Sequence, residues 1–481
     1  MQYLQLATVP VDQNDDNLIL LVEPTTLDQL DAVLQPTEMI FLRQSVAKGV
    51  RAFFFPQANN AVFVRVLEPA SDVAPGLEEA RLDATKLLCE LKNYHVESAI
   101  VRTFCPEERA LAFLEGLMLG SYQFVNYFSD PSKKSKQLTS LRWAEAHVPQ
   151  TAVNELNSLV QAVFMTRDMV NEPHSHFDAL KLADVALEAG KVFGFSVEVL
   201  GKEKIEELKM GGLLAVNQAS TIPPQFCILE WRPESPRNKK PVVLIGKGVV
   251  YDTGGLSLKS PDGMENMKCD MAGAAAVIGT LSAIAQSNMP IHVIGLIPAT
   301  DNKVGDRALS PGDVIRMYSG TTVEVVNTDA EGRLILADAM HYAKQFEPDL
   351  VLDLATLTGA AVRALGSQAI CYMGTADAKV KRALETSGWN TYERLVELPL
   401  WKEYGDELKS SIADLKNMGN GPAGMITAGK FLEHFADYPW LHLDIAGSAY
   451  LRAANGYRPK EGTGVGVRLL FDFLKKWGAE E

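Results

Sequence analysis

The chain has 481 residues, 47% of them hydrophobic and 22% charged, with a formal net charge of −14. That length exceeds one ordinary core, so two domains are expected, and no tract is polar enough to read as disordered. The acidic balance argues against nucleic acid as a partner, because neutralising phosphates needs clustered Lys and Arg.

The densest basic stretch, Ser132–Lys136, is short and reads as a solvated linker. Cys89, Cys105, Cys227, Cys269 and Cys371 are odd in number, widely spread and free of any C-x-x-C pair. That pattern disfavours a disulfide framework and a Cys-rich zinc module, and it fits a reducing compartment. The N-terminal residues show neither the basic start nor the apolar core of a secretory signal. No run is expected to supply the ~20 apolar residues of a membrane span. A cytoplasmic protein with no membrane partner is the expectation.

Residues 1–150 alternate strand-like and helix-like stretches, predicting a smaller N-terminal α/β domain with an assembly or regulatory role. Leu18–Val22, Ala52–Phe55 and Ala61–Val66 are its candidate strands by β-branched and aromatic content; Glu78–Tyr94 and Glu107–Phe124 are its candidate helices. A polar boundary at Pro131–Pro149 leads into Val153, Leu156, Leu159, Val160, Val163 and Phe164. Their spacing predicts an amphipathic connecting helix over 151–170.

Residues 171–481 read as a larger three-layer α/β/α catalytic domain with a mostly parallel, twisted sheet. Candidate strands are Phe226–Trp231, Pro241–Ile245, Ile291–Leu296, Thr322–Val326, Asp349–Leu354 and Trp440–Ile445. Several are near-continuous apolar runs, as strands covered on both faces should be. Helical stretches at Ala272–Ala285 and Leu334–Lys344 separate them.

Two Gly-rich segments follow candidate strands, where ligands of open α/β sheets gather. The first, Gly246–Lys259, holds Lys247, Asp252 and Lys259 and runs on to Asp270. The second, Asn327–Leu334, holds Asp329, Glu331 and Arg333. Asp252, Asp270, Asp329 and Glu331 together carry four negative charges, which two divalent cations would cancel. Like charges crowded in one cleft otherwise raise each other's pKa and resist ionising. In extended backbone Asp329 and Glu331 project to the same side and can reach one ion. Taken alone they could equally cap and charge the helix that begins near Arg333; the first segment tips the balance towards metal.

A lysine five residues before Asp252 is odd beside a metal unless its amine is neutral, a state a divalent cation enforces. Lys259 is better placed to stay charged and polarise a carbonyl. Gly246-Lys247-Gly248 is not a phosphate loop, and H-E-x-x-H and G-x-S-x-G are both missing. None of the eight histidines, His147 among them, falls at ligand spacing inside either segment. His442 reads as a core residue, and His174 with His176 as a turn after Pro173.

These segments resemble the cytosolic leucyl aminopeptidases, di-zinc enzymes that release N-terminal residues from peptides. The resemblance rests on Asn327-Thr328-Asp329-Ala330-Glu331-Gly332-Arg333-Leu334, on Gly246–Lys259 and on Met264–Ala275. Asn171-Glu172-Pro173 and His442–Gly447 support it. It implies that Asp252 and Glu331 bridge two divalent ions (Zn2+, or Mn2+ in one or both sites). Lys247 and Asp270 complete the tighter site and Asp329 the more exchangeable one. Lys259 and Arg333 are the implied catalytic pair. Arg333, Ala330, Gly332 and Leu357 are the implied seat of a bicarbonate that serves as general base. Met267, Thr356, Gly359 and Ala446 match the pocket for the first side chain, which implies Leu or Met there. Peptide substrates and a homohexamer are implied too. Tyr251 and Thr253 stand where the family often has Phe and Ser, and His174 is atypical. A DNA-binding regulator and a non-catalytic assembly protein are the alternatives; the first conflicts with the acidic balance, the second with the full set of ligands.

Overall fold

Continuous apolar runs such as Val242–Gly246, Leu350–Ala355 and Trp440–Asp444 become strands buried at every residue, because helices cover both faces of their sheet. The structure is a computed structural model; it describes residues 3–10, 16–58, 60–70, 72–130, 138–144 and 149–479. The basic stretch Ser132–Lys136, His147 and most of the expected boundary at 131–149 lie outside the described residues.

The chain divides into two compact units, Met1–Gln161 with Ala454–Pro459, and Ala162–Ala453 with Lys460–Glu481. The division falls inside a single helix, Gln150–Asn171. Assigning Ala454–Pro459 to the first unit departs from the contiguous second domain expected from sequence. In the first unit, Tyr457 Oη donates to Glu78 Oε2 at 2.8 Å and ties that excursion down.

The first unit holds a six-stranded sheet in the order Leu6–Val9, Ser140–Ala144, Ser98–Phe104, Asn17–Val22, Ala61–Val66, Ala52–Pro56. All pairs are parallel except the last, a hairpin.

The second unit is built on a nine-stranded, mostly parallel sheet. Its order is Leu395–Glu397, Ile370–Gly374, Trp440–Asp444, Leu350–Ala355, Val242–Gly246, Val293–Asn302, Gln225–Trp231, Ser196–Leu200, with Gly248–Asp252 also paired to Val293–Asn302. On one face Val243, Ile245, Ile294 and Leu296 pack with the helices Gly211–Asn217, Gly332–Ala343 and Gly424–Glu433. Helix Ala272–Gln286 covers the other face, flanked by Ala179–Phe193 and Val467–Lys476. The three-layer α/β/α expectation holds.

Two sequence expectations need correction. Thr322–Val326 is not part of the main sheet: Thr322–Glu324 pairs with Val314–Arg316 and Leu415–Lys416 in a separate three-stranded sheet. Its β-branched residues suit any half-buried pleat, so composition could not tell the two apart. One segment also passes as apolar enough to cross a membrane. Within Pro261–Gln286 an 18-residue window reaches a mean hydropathy of 1.3, and 94% of that window is enclosed within the fold. It ends in the Ala- and Gly-rich helix Ala272–Gln286, buried on every face except at its last residue.

Candidate metal centre

The sheet forks at Lys247. Before it, Val242–Gly246 lies between Val293–Asn302 and Leu350–Ala355; after it, Gly248–Asp252 follows the far half of Val293–Asn302. The Lys247 N–H still donates to Leu354 O at 3.0 Å, and its carbonyl accepts from Ala274 N at 3.0 Å. Lys247 is therefore held at the C-terminal edge of the parallel strands, where the cleft opens. Gly254 and Gly255 then turn the chain with positive φ (84° and 63°), a conformation that side chains with a Cβ rarely adopt. That turn brings Lys259 back beside Asp252.

Four carboxylates and two ammonium groups meet in this cleft. Lys247 Nζ lies 2.8 Å from Asp270 Oδ2 and 2.8 Å from Glu331 Oε1, and donates to Thr356 O at 3.1 Å. Lys259 Nζ lies 2.8 Å from Asp252 Oδ2 and 2.6 Å from Asp329 Oδ1. Lys247, Asp252, Asp270 and Glu331 are almost wholly buried, while Asp329 keeps a side-chain exposure of 34%.

When all six groups are ionised, the acids outnumber the lysines by two. Burial, then the Asp252 charge, pushes Glu331 up to about 8, with Lys247 pulling the other way. Burial likewise lifts Asp270 to about 6 against the pull of Lys247. Burial opposes charge on both amines, yet Asp270 and Glu331 around Lys247, and Asp252 and Glu331 around Lys259, hold them above the ordinary lysine value.

The donor set fits divalent cations. One oxygen each from Asp252, Asp329 and Glu331 lie within 4.8 Å of one another, and Asp270 joins them through Lys247. Glu331 Oε2 is buried with no hydrogen-bond partner, and Asp270 Oδ2 and Asp329 Oδ1 meet the lysines in no well-directed hydrogen bond. Spare lone pairs on carboxylates and surplus negative charge suit hard or borderline metals with oxygen ligation.

A pH dependence follows. A carboxylate whose pKa is raised by folding contributes stability that is full below its unfolded value and lost as pH rises through its folded value. In metal-free protein the free energy of unfolding should therefore fall from about pH 5 to about pH 8, as Asp270 and then Glu331 ionise. Asp338, pushed up to about 7 by burial against the Tyr318, Leu213 and Gly212 amides, loses stability over the same window with or without metal. Urea titrations with chelator and with Mn2+ should thus differ more at about pH 8 than at about pH 5.5. A metal effect of the same size at both pH values would contradict the assignment.

The cleft measures about 550 Å³ and is lined by Lys247, Asp252, Lys259, Asp270, Asp329, Glu331 and Arg333. Met267, Thr356, Gly359, Ala446, Ala330 and Leu357 line it as well. Of the metal, catalytic, anion-seat and pocket residues named from sequence, Gly332 alone is not on its wall. It sits behind, where a Cβ would meet Lys247 Cε at 2.5 Å. Arg333 Nη1 donates to Asn417 O at 2.8 Å, and its Nε is buried without a partner. His442 is a core residue as expected, its Nδ1 2.6 Å from Asp353 Oδ1. His174 Nε2 meets Lys303 Nζ at 2.8 Å, and no metal-ligand cluster forms there among the described residues.

Sequence reading missed three residues. Asn302 Nδ2 donates to Asp252 Oδ1 at 2.8 Å and to Thr328 O at 3.0 Å, linking the two acidic segments. Asn417, fully buried, donates to Asn327 O at 2.7 Å and accepts from Val326 N at 2.9 Å while its own carbonyl holds Arg333. Arg363 lines the cleft as well and is exposed. The Gly-rich stretch Met418–Gly424 beside Asn417 was the one available signal that this loop borders a ligand site.

The family model for the catalytic domain of the cytosol aminopeptidase family matches residues 164–471. The chain belongs to the cytosol aminopeptidase family. It is 41% identical over 492 aligned residues to a Chlorobium limicola protein named "Probable cytosol aminopeptidase", covering 95% of this chain and 97% of that one. Among solved structures, the bottromycin maturation enzyme BotP in complex with Mn superposes with a TM-score of 0.84 at 30% identity, covering 97% of this chain and 100% of that one. A tomato leucine aminopeptidase variant gives 0.84 at 27% identity, covering 99% and 97%. The chain is accordingly a metal-dependent aminopeptidase, with peptides as its substrates, and the acidic cluster is the part of the cleft suited to its metal.

Proposed function

We propose that this aminopeptidase uses two divalent ions, Zn2+ or Mn2+, to release N-terminal residues, preferably Leu or Met, from peptides, with a bicarbonate on Arg333 as proton carrier. The observation that carries the reading is the buried four-carboxylate cluster with Glu331 Oε2 left unpartnered. Asp252 and Glu331 would hold both ions, Lys247 and Asp270 one of them, Asp329 the other. When bound, such ions supply the Lewis acidity that makes water nucleophilic near neutral pH.

The remaining roles belong to the chain's own groups. With Asp252 and Asp329 engaged in holding ions, the Lys259 ammonium would be free to face the scissile carbonyl and stabilise negative charge developing on its oxygen. Asp270 receives the free α-amine of the substrate, which restricts cleavage to the N-terminal bond. Arg333 has a buried, unpartnered Nε that suits a small planar anion. The backbone of Ala330 and Gly332 with Leu357 would complete that seat, and the anion would supply the general base that no free side chain in the cleft provides. Met267, Thr356, Gly359 and Ala446 would hold the first side chain; being apolar or small, they favour Leu and Met.

A homohexameric assembly and a cytoplasmic setting belong to the same proposal. The first rests on family resemblance, the second on five cysteines that form no disulfide. Protein loaded with Zn2+ or Mn2+ should hydrolyse leucyl-p-nitroanilide, and chelation should stop it. A metal-replete preparation without turnover would remove the basis of the proposal.

A further inference from the structure

Arg363 is the one charged side chain on the cleft wall to which the proposed chemistry gives no task. It is exposed on the short helix Gly359–Leu365, whose first turn is fixed by Thr358: its hydroxyl accepts from Ala361 N at 3.0 Å and donates to Asp444 Oδ2 at 2.7 Å. The guanidinium folds back over the start of that helix, so that a Cβ on Gly359 would lie 3.3 Å from Arg363 Nη1. Every carboxylate lining the cleft belongs to the cluster around Lys247 and Lys259. Gly419, Gly421 and Gly424 also line the cleft, and they carry no charge. Glu407, which lies beside Gly419, already accepts from Asn420 N at 2.9 Å. No ion pair or hydrogen bond engages the Arg363 guanidinium among the described residues.

We infer that Arg363 is a specificity-determining residue that recognises a carboxylate of the peptide substrate. The inference rests on the aminopeptidase reading above and deepens it by naming a substrate class. Position against Gly359, in the proposed pocket for the first side chain, favours an N-terminal Glu or Asp. The methylenes of a Glu would lie along the same apolar wall that takes Leu or Met, with its carboxylate reaching the guanidinium. The same chemistry fits the terminal carboxylate of a dipeptide crossing the mouth. An uncommitted arginine at a half-open mouth is screened by solvent, so its effect is moderate, roughly three- to tenfold in kcat/KM.

The test uses metal-loaded full-length protein and Arg363→Met, with Arg363→Lys as the variant that keeps the charge. Within each protein two ratios of kcat/KM are measured: glutamyl- over glutaminyl-p-nitroanilide, and Leu-Gly over Leu-Gly-amide. These ratios are blind to a general loss of activity. One of them should fall roughly three- to tenfold in Arg363→Met, recover in part in Arg363→Lys, and shrink as salt is raised. A fall in the first assigns the carboxylate to the N-terminal side chain, a fall in the second to the C-terminus. Both ratios unchanged in Arg363→Met overturns the inference while leaving the parent activity standing. Failure of the wild type to cleave any of the four substrates overturns both.

Discussion

Glu331→Gln is expected to lower kcat/KM for leucyl-p-nitroanilide by roughly 10³-fold or more, yet to change the stability of metal-free protein by less than about 1 kcal/mol. The two halves have different causes. Activity falls because the substitution removes a charge from one of the two carboxylates proposed to hold both ions. Stability barely moves because that carboxylate is costly in the metal-free fold. Burial and Asp252 push its pKa up to about 8, and its Oε2 has no partner. A glutamine oxygen can still accept from Lys247, which keeps Asp270 as its counter-charge. Calorimetry in chelator beside kinetics in Mn2+ separates the two. A variant that retains turnover would show that Glu331 holds no metal.

Gly273→Ala should do the opposite and cost the fold itself, by about 3 kcal/mol or more. A Cβ there would lie 2.0 Å from Leu354 O, 2.8 Å from Leu354 C and 3.0 Å from Lys247 N. All three are backbone atoms of the two strands that part at the fork, so none can swing aside. Helix Ala272–Gln286 starts against that fork and would be driven off the sheet. Loss of activity should therefore accompany loss of stability, unlike in Glu331→Gln. Gly201→Ala is a useful control, because nothing lies within 4 Å of its Cβ position and only an N-cap is altered. If Gly273→Ala melts with the wild type, helix and strand are not packed as described.

Legibility from sequence followed the physics of each element. Val242–Gly246 and Leu350–Ala355 were readable because burial on both faces forces unbroken apolar runs. Helix Ala272–Gln286 was readable by its length and lack of β-branched clustering. Gly248–Asp252 was hidden: glycine and acid made it look like loop, and it is a strand only because Val293–Asn302 runs long enough to pair with it. In the first unit Leu6–Val9, Ser98–Phe104 and Ser140–Ala144 were missed, their polar or short runs gaining strand character only from parallel neighbours. Asp252 stood out because Gly248, Gly254 and Gly255 surround it, and Asp329 and Glu331 because they lie two residues apart just after a candidate strand and beside Gly332. Asn302, Asn417 and Arg363 did not, since their importance arises from chain segments that meet only after folding.

The paired ammonium groups have a consequence for how the enzyme matures. Small zinc modules have nothing to gather their ligands until the ion arrives, so they stay unfolded without it. Here Lys247 and Lys259 act as resident placeholders, drawing the four acids to within 2.6–2.8 Å of a positive charge in the bare polypeptide. Folding and metallation thereby become separate events. The proposed metal would then enter by an exchange of cations, in a site already shaped to receive it.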